Sequence, residues 1–234
     1  MTKRMEDYIP ELNKMPLFSG IKEDDIVNVL SCLGAFRKEY KKREYIILCD
    51  DDVHSVGVIL HGKVQMLRED MWGNKSILTS MITGELFGET FACGSLLRST
   101  VSFLAVEETR VLFLPFEKMM KSCTMSCIFH HRLIENMVTL IADKNVQLME
   151  KIDIISKNSL REKILAYLLF QEEHQQSPYI ESPLGRVQLA EYLHADRSAL
   201  TRELNLMKKD GLIDFEKNSF RITGKLDRPS TCGK

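Results

Sequence analysis

The stretch Val187–Leu204 constrains this chain more than any other. It reads as a short helix, a tight turn and a second helix. Leu189, Ala190 and Leu193 form one apolar stripe, and Leu200 and Leu204 form another at helical spacing. Ala190 is small, as two helices crossing at close range require. Asp196 is placed to start the second helix, with its carboxylate expected to accept from the Ala199 N–H. With the leucines turned inward, Arg197, Ser198, Thr201 and Arg202 are left outside, where they can donate to phosphates or base edges. Lys208, Lys209 and Gly211 then end the helix. Leu212–Glu216 and Ser219–Ile222 alternate as two strands around a Lys217-Asn218 turn. A helix-turn-helix followed by a small hairpin predicts a winged DNA-binding domain.

The other 200 or so residues must hold something else, since a chain of 234 is long enough for two modest domains. Net charge is −1, so overall charge does not advertise a nucleic-acid partner. Its distribution does so mildly: from Ser156 onward there are 13 Lys and Arg against 11 Asp and Glu, whereas the earlier residues carry 19 against 22. No apolar run approaches the length of a bilayer span, and Met1–Glu6 is polar without a signal-peptide core. A cytoplasmic protein with no membrane contact is expected, its six cysteines reduced. The sequence contains no P-loop, dinucleotide fingerprint or nucleophile motif, so an enzyme is not expected.

Residues 5–32 read as two short helices joined at Pro16–Gly20. From Ala35 to Leu114 the pattern changes to short strands, clearest at Tyr45–Leu48, Val56–Leu60, Lys63–Leu67, Lys75–Met81, Val101–Val106 and Arg110–Leu114. Turn signals at Asp50–Asp52, His61-Gly62, Trp72–Asn74 and Thr83-Gly84 separate them, implying an antiparallel sandwich or barrel. A long helix follows, Thr124–Ile155, about 45 Å in length. Along it Ile134, Val138, Ile141, Asn145, Leu148, Ile152 and Ile155 make a heptad seam. Phe129, Leu133, Met137 and Leu140 lie in a row beside the seam. Two such rows suit a helix that packs on its own β-domain and on a second copy of itself. Asn145 in the seam would set register. Ser159–Phe170 is amphipathic, and Gln171–Gly185 reads as a polar loop with room for a short strand. The domains are therefore 1–123, a β effector domain; 124–155, a dimerisation helix; and 156–234, the winged domain. The fold class is α+β.

The order of a β-roll, a long helix and a winged helix-turn-helix resembles the Crp/Fnr superfamily of bacterial transcription regulators. His61–Val64 looks like the glycine turn between early roll strands, Gly84–Glu89 like the start of the effector cassette, and Arg197–Leu204 with Lys208–Ile213 like the recognition helix and its exit. The resemblance implies a cyclic-nucleotide-binding-like roll and a homodimer that binds double-stranded DNA at an inverted repeat, with RNA polymerase as a further partner. It puts Arg197, Ser198 and Arg202 on the base-reading face, Thr201 beside them and Gln188 among the DNA contacts. The family often has glutamate where Ser198 stands, which leaves the operator sequence open.

Two effector readings follow from the resemblance. Nucleotide-responsive relatives use a glutamate for the ribose and an arginine followed by a serine for the phosphate; here Glu89 and Arg98-Ser99 occupy those places. An ungapped alignment of Val101–Leu114 to the cyclic-AMP receptor instead puts Ser99 in the arginine slot, with Arg98 pointing away. The second reading is a metal or redox site. Cys123, Cys127 and His130 are spaced to share a helix face, and Cys93 lies in the cassette. Buried thiols without function are the plain alternative. Only Cys32 precedes the roll, so a cysteine cluster of the oxygen-sensing kind is not implied. The alternatives in function are a cyclic-nucleotide-binding module acting on another protein, and a DNA binder with a vestigial sensor.

Overall fold

The computed structural model describes residues 8–73, 75–121 and 128–224, which fall into two compact units divided along the chain between Asp143 and Lys144. In the first unit, helices α1 (Ile9–Leu12) and α2 (Glu23–Leu33) flank a single 3-10 turn at Pro16–Phe18. Alternating apolar residues then build eight strands. These are β1 (Phe36–Tyr40), β2 (Tyr45–Ile47), β3 (Ser55–His61), β4 (Lys63–Glu69), β5 (Lys75–Ile82), β6 (Leu86–Phe87), β7 (Ser102–Ala105) and β8 (Thr109–Pro115). They form two antiparallel four-stranded sheets, ordered β1-β8-β3-β6 and β2-β7-β4-β5. The β3–β4 turn needs Gly62: its φ is +95°, and a Cβ there would lie 2.6 Å from the Glu108 carbonyl oxygen. Short helices α3 (Glu89–Ala92) and α4 (Phe116–Met120) follow β6 and β8.

Helix α5 (Ile128–Ile155) supplies the row of residues that closes the roll. Leu133 and Met137 are buried in the roll core, and Phe129, Leu140 and Ile141 pack against it. Burial of each of the two is worth about 1.5–3 kcal/mol. Asn136 fixes the helix further, its Nδ2 donating to the carbonyls of Leu17 at 2.9 Å and Ser19 at 2.8 Å. On the seam, Val138, Leu148 and Ile152 are all more than half exposed, and Asn145 is exposed.

In the second unit, α6 (Leu160–Gln175) begins with a reciprocal cap between Ser159 and Glu162. Helices α7 (Arg186–Tyr192) and α8 (Arg197–Lys209) come next, then the hairpin β10 (Ile213–Glu216) and β11 (Ser219–Ile222). Strand β9 (Ile180–Glu181) pairs with β11 and makes a three-stranded sheet. Ile154, from the end of α5, joins Ile164, Tyr167, Leu168, Leu189, Leu200, Leu204 and Phe220 in one core.

Strands β1 and β6 and helices α3 and α4 are additions to the elements read from sequence, while β9 is the short strand that the polar loop had room for. Each is short, and its residues show too few periods to identify it. One local expectation is corrected. Asp196 does stand at the N-cap of α8, but its side chain makes no capping bond. The C-terminal stop is as read: Leu212 N–H donates to Met207 C=O at 3.0 Å and Gly211 N–H to Lys208 C=O at 3.1 Å.

Candidate nucleic-acid interface and effector roll

Helix α8 buries Leu200, Leu204 and Met207, and that commits the opposite face to solvent. There Arg197, Ser198, Thr201, Arg202 and Asn205 line one concavity of about 520 Å³. The sequence reading omitted Asn205. It lies one turn beyond Thr201 on the same stripe, so the 3.6-residue repeat could have found it. The Thr201 hydroxyl donates back to the Arg197 carbonyl at 2.8 Å, so it faces outward as an acceptor only. Gln188 is exposed on α7, but its Oε1 accepts from the Gly185 N–H at 3.0 Å and so caps that helix. Only its amide NH₂ remains for a partner.

The cations of this unit divide into two groups. Arg161 on α6 bonds Glu203 at 2.6 Å and Asp210 at 2.8 Å. Lys208 bonds Asp214 at 2.6 Å and the Phe215 carbonyl at 3.2 Å. Arg186 lies 4.8 Å from the ring centres of both Phe215 and Phe220 and donates to the Lys217 carbonyl at 2.6 Å. These three hold the helices and the hairpin together. Arg197 and Arg202, by contrast, make no ion pair or hydrogen bond through their guanidinium groups with the described residues. A pair of uncommitted guanidinium forks on one helix face suits phosphate oxygens and the O6/N7 edge of guanine.

In the roll, the residues expected at an effector do not share one environment. Glu89 is buried at the start of α3, and Ser99 is wholly buried. The Ser99 hydroxyl donates to its near neighbour, the Val101 carbonyl, at 2.7 Å. Arg98 between them in sequence is exposed, its backbone bridged to Asp52. A separate concavity of about 420 Å³ is lined by Glu11, Lys14, Met15, Leu60, His61 and Gly84, among others, and by none of these three.

Of the residues read as a metal or redox site, Cys123 and Cys127 lie outside the described residues. Cys93 is half-buried, and burial together with the nearby Glu89 pushes its thiol up to about 11, so it stays protonated at neutral pH. His130 is buried on the same face of α5 as Leu133 and Met137, and neither ring nitrogen has a hydrogen-bond partner among the described residues. Burial first, and His131 second, hold its pKa below the usual value. Among the described residues no group of three His, Cys, Asp or Glu is placed to hold a metal ion. No described helix is long and apolar enough to cross a membrane.

Comparison with known proteins agrees with this geometry. Residues 37–124 match the cyclic nucleotide-binding domain family, and residues 162–225 match the Crp-like helix-turn-helix domain family. The cyclic AMP receptor protein of Thermus thermophilus is 24% identical over 198 residues, covering 85% of this chain and 88% of the relative. Among solved structures, the c-di-GMP-responsive global regulator CLP of Xanthomonas campestris superposes with a TM-score of 0.58 at 15% identity, covering 87% of this chain and 100% of that one. A CooA mutant from Carboxydothermus hydrogenoformans gives 0.55 at 17% identity, covering 83% and 85%.

Proposed function

The chain belongs to the Crp/Fnr superfamily and is a DNA-binding regulator of that type; from this premise we propose that it acts in the cytoplasm as a homodimer on an inverted-repeat operator, under the control of a signal received at the roll. The observation that carries the reading is the exposed face of α8, where Arg197, Ser198, Thr201, Arg202 and Asn205 converge and both guanidinium groups are uncommitted among the described residues. The exposed Val138, Leu148 and Ile152 support pairing through α5, because so much aliphatic surface on one helix is costly to leave in water. A pair of recognition helices about one DNA turn apart then selects a two-fold-related site. Arg197 and Arg202 read guanines, Thr201 and Ser198 add short contacts, and Gln188 donates to a phosphate. Contact with RNA polymerase belongs to the same reading.

The signal reaches the roll as an effector near Glu89, or as oxidation or metal binding at Cys93, Cys123, Cys127 and His130. The raised thiol pKa of Cys93 favours the first route. Selection of binding sites from random duplex DNA tests the main reading: an enriched inverted repeat supports it, and no enrichment sinks it. On the selected operator, Arg202→Ala should cost about 1–3 kcal/mol, concentrated at one base pair. A uniform loss across sequences would make Arg202 a phosphate contact instead.

A further inference from the structure

We infer that the roll of this chain does not take up a cyclic nucleotide, despite its membership of a domain family named for that ligand. A cyclic nucleotide carries a phosphodiester anion. Withdrawing that charge from water is strongly unfavourable unless a cation and hydrogen-bond donors replace the lost hydration. Among the described residues of the first unit, the buried polar groups are Glu89, Ser99, Thr109 and His130. None is a standing cation. His130 is an imidazole buried on the face of α5 that carries Leu133 and Met137, and Glu89 is a carboxyl that offers a phosphate no attraction.

The arginine of the effector segment does not make good the deficit. Arg98 is exposed, and the slot beside it is filled by wholly buried Ser99. Ser99 has one hydroxyl proton, and the Val101 carbonyl already takes it. Arg37 and Arg110, on the paired strands β1 and β8, are engaged as well. Arg37 pairs with Glu39 at 3.4 Å and lies 5.0 Å from the Tyr8 ring centre. Arg110 donates to the Tyr8 hydroxyl at 2.7 Å.

The interior is also occupied. Phe87 lies over the bare backbone of Gly57, where a Cβ would come within 2.4 Å of its ring. Its centroid is 5.2 Å from that of Phe103 and 6.2 Å from that of Phe113. From α5, Leu133 and Met137 complete an apolar filling. Such a filled, apolar interior offers an anion neither room nor a counter-charge.

The test uses the full-length protein. Calorimetric titration and melting curves are recorded with cyclic AMP and, separately, cyclic GMP. The same preparation is titrated onto its selected operator with and without each nucleotide. The expected result is no binding heat, an unchanged melting temperature and the same DNA affinity. Saturable binding with a raised melting temperature, or a gain of about fivefold or more in DNA affinity, overturns the inference. The outcome is separable from the proposed function, since failure to bind any DNA sinks that reading while the ligand titration still reads out.

Discussion

Two arginines of identical chemistry, Arg186 and Arg202, are assigned opposite work by their surroundings. Arg186 is spent between two phenylalanine rings and a carbonyl, while Arg202 stands on an open helix face. A residue list ranks them equally; only geometry separates them. His130 makes the same point for a titratable group. Its two nitrogens find no partner among the described residues, and burial holds its pKa below the usual 6.5. The unfolded chain therefore takes up this proton at a higher pH than the folded one. Stability attributable to His130 is intact above about pH 6.5 and is lost as pH falls through the lower, folded pKa. Melting curves taken downward from pH 7 should show wild type losing stability faster than His130→Leu. Parallel curves would mean that the imidazole is hydrated in solution. Cys93 behaves in the opposite sense: its raised thiol pKa predicts slow alkylation at neutral pH, against faster labelling of the exposed Cys32 and Cys49.

The hairpin β10–β11 is held from two sides by cations, Arg186 at the start of α7 and Lys208 near the end of α8. Its tip carries Lys217 at a φ of +51°, with Arg186 bonded to that residue's own carbonyl. Removing Arg186 frees the tip. Arg186→Ala should lower the melting temperature of the protein and weaken operator binding through the displaced hairpin, without altering base preference. Base preference that shifts with this variant would contradict the assignment. Elements of this kind also mark how far sequence reading reached. Helix α8 was legible because Leu200, Leu204 and the Gly211 stop repeat at helical spacing, and β3 and β4 because apolar runs flank Gly62. Two-residue strands such as β6 and β9 have no period to detect, since they exist only where a neighbouring strand offers its hydrogen bonds.

For the whole molecule, α5 carries the consequence. Its buried row serves the roll, its last turns serve the core of the second unit through Ile154, and its exposed row is the one proposed to pair with a second copy. Leu148→Glu combined with Ile152→Glu places like charges in the seam. It should convert a dimer into monomers by sedimentation and weaken operator binding by removing one half-site contact. A double variant that remains dimeric would locate the seam elsewhere. Asn145→Ile should raise the melting temperature of the dimer while loosening its register.

The sequence by itself determined the class of each part: a roll of alternating strands, a heptad helix, and a helix-turn-helix with a wing. These depend on periodicity and turn chemistry, which are local and survive without coordinates. Tertiary structure alone decided which polar groups are available. It showed Asp196 leaving α8 uncapped by its side chain, Gln188 folded back on its own helix and Asn205 joined to the reading face. It placed Ser99 inside and Arg98 outside, a choice that turns on a single residue of register. The reason is physical. Whether a side chain is exposed, spent or buried depends on neighbours brought from distant positions, and a one-residue shift along a strand reverses the face without changing composition or pattern.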